Sequence, residues 1–273
     1  MTGEKSYIKD YIIAILLVVV LGLSAALLYV TFFAEEAEEI SAEPQETEAV
    51  TGATEGTVHI ELTVIDGNPV ESQDPELTDN RLFEDFESGR SICFVGDSIT
   101  RGSVTDYIPW YEPLTPFIQG EVLNFSEGGW TSQWLVDLRD QAPAADVYVI
   151  AIGINDILFI DQPLGAASED EFIDNLEIFE ETLRSMNPEA TFYYITPWPF
   201  LNFPDESYEC RDVFVDAMAD YCSEAEERIL IDPADTIMSV LEESDPSIYM
   251  YNDYHPNAPQ GVGLYSYAVL RSA

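Results

Sequence analysis

From Ser91 onward, short apolar runs alternate with helix-like stretches. The apolar runs, each short enough to form one buried strand, are 91–96, 121–126, 146–153, 191–196 and 228–232. The helix-like stretches lie around 131–140, 168–186, 207–226 and 257–270. Ser168 and Glu171 offer a capping box at the start of the second stretch. Strands separated by helices in this way predict an α/β fold with a parallel sheet covered on both faces.

The N-terminal part of the chain follows a different pattern. Residues 11–34 carry no charged side chain, and as a helix they would be roughly 36 Å long, enough to cross a bilayer core of about 30 Å. The apolar run of a cleaved secretory signal is shorter, so the pattern favours an uncleaved transmembrane anchor. Lys5 and Lys9 precede the span, and no Lys or Arg follows it until Arg81. The positive-inside rule therefore predicts that residues 1–10 are cytoplasmic and that the chain after the anchor is extracellular.

Two segments separate the predicted anchor from the alternating region. Residues 35–57 are rich in glutamate and contain no basic residue, which predicts an extended, acidic tether. Residues 58–90 predict an extension with one strand at 58–65, a turn at Asp66-Gly67 and then loop-like, acidic chain. The main domain is expected to occupy residues 91–273.

The net charge of the chain excludes some classes of binding partner. The chain has 52 Asp and Glu against 10 Lys and Arg, a formal net charge of -42. Such a surface repels phosphate backbones and anionic lipid headgroups, so nucleic acid is not an expected partner. An acidic shell that keeps the protein soluble, in a salty habitat for example, is favoured over a dedicated cation-binding role. The oligomeric state stays open.

Three of the predicted strands end in polar turns that contain glycine. These turns are Gly96–Thr100, Asn124–Thr131 and Gly153–Asp156, and they hold Ser98, the adjacent Gly128 and Gly129, and Asn155. Ligands of parallel α/β sheets bind outside the carboxyl ends of the strands, where backbone N–H groups can face them. The three turns are therefore expected to form one site.

Histidine is scarce, which narrows the choice of a catalytic base. The chain has 2 histidines, His59 in the N-terminal extension and His255 just before the last predicted helix. His59 is expected to be exposed or packed on a strand. If the chain performs nucleophilic acyl transfer near neutral pH, Ser98 is the candidate nucleophile and His255 the candidate base.

The chain resembles a known family at this point. Gly96-Asp97-Ser98-Ile99-Thr100, the second turn with its glycines, Gly153-x-Asn155-Asp156 and His255-Pro256 resemble, in order, the blocks of SGNH (GDSL-type) hydrolases over about residues 91–270. The resemblance implies a flavodoxin-like three-layer α/β/α sandwich that hydrolyses esters through an acyl-enzyme on Ser98. It also implies an oxyanion hole made of the backbone N–H groups of Ser98 and Gly129 and the side chain of Asn155. This chemistry needs no metal and no organic cofactor.

The acid that orients His255 is less clear from the sequence. The commonest pattern in this family has aspartate three residues before the histidine, where this chain has Asn252. A related branch uses the D-x-H spacing, which Asp253-Tyr254-His255 resembles. We therefore predict Asp253 as the orienting acid, with a Ser–His dyad or help from Asn252 as alternatives. Asp97 is expected to be structural.

Aromatic residues near strand ends suggest the substrate. Trp130 and Trp198, the latter between Pro197 and Pro199, are predicted to line the pocket, although aromatic side chains often belong to the core. With the predicted extracellular position, they point to an acylated, in particular an acetylated, carbohydrate. Two other functions stay open: an O-acyltransferase for cell-surface glycans that uses the same residues, and a non-catalytic carbohydrate-binding module.

Overall fold

The computed structural model describes residues 60–63, 69–72, 77, 79–158, 166 and 168–273. The predicted cytoplasmic segment, membrane anchor and acidic tether, as well as His59, lie outside the described residues. Among the helices that are described, none is long and apolar enough to cross a bilayer.

A five-stranded parallel sheet forms the centre of the fold. Its strands are β3 (Ile92–Gly96), β4 (Val122–Ser126), β5 (Val147–Ala151), β6 (Thr191–Ile195) and β7 (Arg228–Ile231). All five predicted strands are confirmed, with the order β4-β3-β5-β6-β7. Every residue of β3, β5 and β6 is buried, whereas the edge strand β4 alternates in exposure. Earlier in the chain, β1 (Ile60–Thr63) and β2 (Pro69–Ser72) pair as an antiparallel hairpin.

Helices connect the strands of the sheet. The α-helices are α1 (Arg81–Glu87), α2 (Ser98–Arg101), α3 (Ser132–Leu138), α4 (Ile154–Leu158), α5 (Glu169–Met186), α6 (Asp205–Ser223), α7 (Ala234–Glu243) and α8 (Gln260–Ser272). Three 3₁₀ helices span Glu112–Phe117, Arg139–Gln141 and Pro246–Ile248. The four predicted helices correspond to α3, α5, α6 and α8. The Ser168 hydroxyl accepts the Glu171 N–H at 3.2 Å, as the capping box predicted.

The helices lie on both faces of the sheet because the direction of strand addition reverses. From β3 the chain adds β4 on one side, then returns to add β5, β6 and β7 on the other. Right-handed crossovers in opposite directions place their helices on opposite faces. Accordingly, α3, α5 and α6 pack together, while α7 and the 3₁₀ helix Glu112–Phe117 pack on α8. The result is an α/β/α sandwich with the strand order typical of flavodoxin-like folds.

A buried carboxylate joins α5 to the sheet and to α6. Glu180 accepts hydrogen bonds from the Tyr194 hydroxyl at 2.6 Å, the Tyr221 hydroxyl at 2.8 Å and the guanidinium groups of Arg184 and Arg228 at 2.6 and 2.9 Å. Burial alone would raise the pKa of Glu180, but these hydrogen bonds outweigh it and hold the pKa below its usual value. The Glu180 carboxylate therefore stays ionised, and its hydrogen bonds hold one helical layer against the sheet.

Candidate active site

The turn after β3 presents Ser98 at the carboxyl edge of the sheet. Asp97 caps α2, its carboxylate accepting the Ile99 N–H at 2.9 Å. A Cβ at Gly96 would collide with the Ala151 carbonyl oxygen, so only glycine lets the turn pass so close to β5. Because Ser98 is the first residue of α2, its backbone N–H has no intrahelical acceptor and can serve a ligand.

His255 lies beside this serine. Its Nε2 is 2.8 Å from the Ser98 Oγ, within hydrogen-bonding distance. Ser98 is 8% exposed and His255 is 7% exposed, so the pair is nearly shielded from water while remaining at the sheet edge. Burial lowers the pKa of His255 to about 4. The imidazole is therefore neutral near pH 7, which a general base requires.

The structure places Asn252, and not Asp253, at the other ring nitrogen of His255. The Asn252 amide lies 3.1 Å (Nδ2) and 3.2 Å (Oδ1) from Nδ1. The prediction that Asp253 contacts His255 is not met, because the Asp253 carboxylate accepts a hydrogen bond from the Asn202 amide at 2.7 Å. The physical reason is a turn in which Asn252 Oδ1 accepts the backbone N–H groups of Tyr254 and His255. This turn folds Asn252 back onto the ring.

Two further turns bring the predicted oxyanion-hole residues to the same edge. Gly96 is paired with Ser126 and with Ala151, so the loops that follow these residues leave the sheet side by side. Gly129 has a φ of +79°, a conformation that favours glycine. The Asn155 side chain donates one amide hydrogen to the Trp130 carbonyl at 2.8 Å. Its second amide hydrogen remains to serve an oxyanion.

A second buried aspartate ties these loops together. Asp156 accepts the Ser132 hydroxyl at 2.7 Å, the Ser132 N–H at 3.0 Å and the Ala166 N–H at 3.1 Å. Burial raises the pKa of Asp156, and the hydrogen bonds from Ser132 and Ala166 oppose that shift. The sequence did not predict these hydrogen bonds of Asp156, which hold the loop after β4 against the loop after β5.

The two tryptophans predicted to bind substrate differ in position. Trp130 is half-buried at the site, and its ring meets that of Phe125 edge to face at 5.0 Å. Trp198 is 1% exposed and packs on Tyr265 and Trp110, so it belongs to the core and cannot contact substrate as predicted. Within the described ranges, no cluster of His, Cys, Asp and Glu side chains could hold a metal ion.

Comparison with known proteins agrees with this geometry. The model of the GDSL-like lipase/acylhydrolase family matches residues 94–259. A Parabacteroides merdae protein described as a GDSL-like lipase is 18% identical with a TM-score of 0.57, over 67% of this chain and 95% of that protein. A catalytic mutant of the acetylxylan esterase Axe2 from Geobacillus stearothermophilus is 20% identical with a TM-score of 0.55, over 67% and 94% of the two chains. At these identities the similarity shows the fold. No curated protein gives a significant match.

Proposed function

Because the chain belongs to the GDSL-like lipase/acylhydrolase family and is a hydrolase that acts on esters, we propose that it removes small acyl groups, acetyl in particular, through an acyl-enzyme on Ser98. The observation that carries this proposal is the 2.8 Å distance between Ser98 Oγ and His255 Nε2. The shielding of both side chains supports it, because a neutral imidazole beside the hydroxyl is the arrangement that activates a serine.

The proposed reaction has two similar halves. His255 Nε2 takes the hydroxyl proton as Ser98 Oγ attacks the ester carbonyl, and then gives that proton to the departing alcohol. Water next attacks the acyl-enzyme and loses a proton to His255. His255 then gives that proton to Ser98 Oγ as the bond between this oxygen and the acyl carbon breaks, which releases the carboxylic acid and restores the enzyme. The negative oxygen of each intermediate is held by the N–H groups of Ser98 and Gly129 and by the Asn155 amide. Each such donor typically contributes about 3–4 kcal/mol.

The proposed substrates are acylated carbohydrates outside the cytoplasm. One protein with this fold is an acetylxylan esterase, and the half-buried Trp130 offers an aromatic surface near the site. The uncharged residues 11–34 support a single-pass membrane anchor, with the acidic segment 35–57 as a tether. In this arrangement residues 1–10 are cytoplasmic and the enzyme acts on extracellular esters.

Hydrolysis of p-nitrophenyl acetate tests the proposal. Ser98→Ala and His255→Ala should each lower kcat by at least about 10³-fold, because either loss prevents formation of the acyl-enzyme. The matched control is Ser223→Ala, which removes an exposed hydroxyl from the end of α6 and should leave the rate unchanged. A labelled fluorophosphonate should modify the wild type but not Ser98→Ala.

The alternatives give different results in the same assays. A binding module would show neither turnover nor labelling. An acyltransferase would be labelled but would release product quickly only when a sugar acceptor is added. A wild type no faster than Ser98→Ala, with and without acceptor, would overturn the proposal.

A further inference from the structure

The orientation of the Asn252 amide is fixed by the backbone. Its Oδ1 accepts the N–H of His255 at 2.8 Å and the N–H of Tyr254 at 3.1 Å. A rotation that exchanged Oδ1 and Nδ2 would turn amide hydrogens toward two N–H donors, which is unfavourable. The amide nitrogen is therefore held on the side away from these two N–H groups.

The Nδ1 atom of the His255 ring lies at nearly equal distances from the nitrogen and the oxygen of this amide. Nδ1 is 3.1 Å from Asn252 Nδ2 and 3.2 Å from Asn252 Oδ1. An amide oxygen has two lone pairs, and both already receive backbone N–H groups, whereas Nδ2 has hydrogens to donate. The favourable hydrogen bond runs from Nδ2 to Nδ1. A neutral imidazole that accepts at Nδ1 carries its hydrogen on Nε2.

That tautomer cannot start the reaction. With its hydrogen on Nε2, His255 donates to the Ser98 Oγ and has no lone pair there to receive the serine proton. Resting on the ester hydrolysis proposed above, we propose that Asn252 is a positioning residue that holds His255 mainly as the unreactive Nε2–H tautomer. The enzyme reacts from the minor Nδ1–H tautomer. In that form the Nδ1–H group donates a hydrogen bond to Asn252 Oδ1, which already accepts two backbone N–H groups.

Other ionisable groups near His255 do not remove this restraint. Asp253, on the same loop, bonds the Asn202 amide, and its backbone carbonyl accepts the Leu201 N–H at 2.7 Å. Tyr254 packs its ring 4.3 Å from the imidazole. Asp97, next to Ser98, points its capping oxygen at the Ile99 N–H. Among the described residues, none of these groups offers an oxygen to Nδ1.

Asn252→Asp tests the proposal because it changes one atom. A carboxylate oxygen can still accept both backbone N–H groups, so the turn is kept, while the second oxygen replaces Nδ2 as an acceptor for Nδ1–H. The side chain lines an open cavity of about 310 Å³ with Asn202 and Met250, so the new charge has access to water. We expect kcat/KM for p-nitrophenyl acetate to rise at least tenfold, since removing the corresponding acceptor in a serine protease traps the wrong tautomer and slows it by about 10⁴.

The pH profile gives a second readout that a purely structural role would not change. Activity requires unprotonated His255, so kcat/KM falls as the pH drops through its pKa. In the wild type this fall should centre near pH 4, because burial lowers the pKa of His255 to about 4. In Asn252→Asp the fall should move to higher pH, because a carboxylate favours the imidazolium. The charge-matched control is Gln260→Glu at the start of α8, which should alter neither rate nor profile.

Direct observation of the tautomer keeps the test independent of activity. The chain has 2 histidines, so ¹⁵N-histidine NMR spectra of the wild type and of His59→Gln assign His255. We expect an unprotonated Nδ1 in the wild type and a protonated Nδ1 in Asn252→Asp. The proposal is overturned by a protonated Nδ1 in the wild type, or by Asn252→Asp activity within twofold of wild type with an unshifted profile. Absence of Ser98-dependent turnover in the wild type would instead refute the proposed function.

Discussion

At the residue scale, Asp97 shows how the turn before Ser98 is built. One carboxyl oxygen caps α2, while Oδ2 has no hydrogen-bond partner among the described residues. Burial raises the pKa of Asp97 to about 7, and the charge of Asp156 adds to the shift. The expectation that Asp97 is structural agrees with this position. Its carboxyl group serves the geometry of the turn and makes no contact with His255.

Asp97→Asn should stabilise the protein above neutral pH. The raised pKa means that the Asp97 contribution to folding stability is fully present below about pH 3.8 and is lost as the pH rises through about 7. Asparagine keeps the capping oxygen without the buried charge. We expect Tm to exceed that of the wild type by roughly 5 °C at pH 8, with a smaller difference at pH 4. The exposed Asp140→Asn is the control; an equal Tm difference at both pH values contradicts the account.

Residue types alone indicated most of the candidate site, but not its geometry. Ser98 and His255 could be predicted because glycine-bearing turns and a scarce histidine restrict the choice. Asn252 and Asp253 could not be ranked in this way, because the side chain that meets His255 is decided by a turn closed with backbone N–H groups. Trp198 was misplaced because an aromatic residue after a strand can turn inward or outward, and proline on both sides does not reveal which.

At the element scale, the strands were easy to predict and some helices were not. A strand buried on both faces is a continuous apolar run, and β3, β5 and β6 have this form. The helix α1 lies in a stretch expected to be loop-like, because its apolar residues stand among acidic ones. Burial of Leu82, Phe83 and Phe86 in the common core stabilises it, which is a tertiary effect that no local pattern contains.

Glu180→Ala should destabilise the fold without altering catalysis. It removes the acceptor shared by Tyr194, Tyr221 and two arginines, leaving buried donors unpaired. We expect a loss of about 3–5 kcal/mol in the free energy of unfolding, measured by urea denaturation. The adjacent Glu181→Ala, on the exposed side of α5, should cost little. Similar losses in the free energy of unfolding for both variants would show that the network does not hold α5 against the sheet. We expect kcat to be unchanged in both variants.

At the scale of the whole molecule, negative charge is the dominant electrostatic feature. The chain carries 52 acidic and 10 basic residues, and several arginines are already committed to ion pairs, as Arg90 is with Asp85 and Arg211 with Asp232. The remaining carboxylates repel one another, which opposes the compact state. Dissolved salt screens this repulsion. At 0.1 M salt, charges more than about 10 Å apart hardly interact, and this distance becomes shorter as the salt concentration rises.

We therefore expect Tm to rise by several degrees between dilute buffer and 1 M NaCl. KCl should act equally, because screening depends on ionic strength and not on the identity of the ion. A rise produced by millimolar divalent cation but not by NaCl would favour a dedicated cation-binding role over an acidic shell. An unchanged Tm in all salts would contradict both interpretations. Differential scanning calorimetry is the measurement.

The separation of the proposed catalytic pair, Ser98 and His255, along the chain has a consequence for protein synthesis. Ser98 and His255 are 157 positions apart, and His255 is followed by α8, whose Leu264, Tyr265 and Val269 are completely buried in the core. A ribosome-bound chain that has exposed Ser98 still lacks both the proposed base, His255, and the helix that completes the core around it. Under the proposed mechanism, the nascent polypeptide cannot attack esters during translation, and hydrolytic activity begins only when the segment through α8 has emerged and folded.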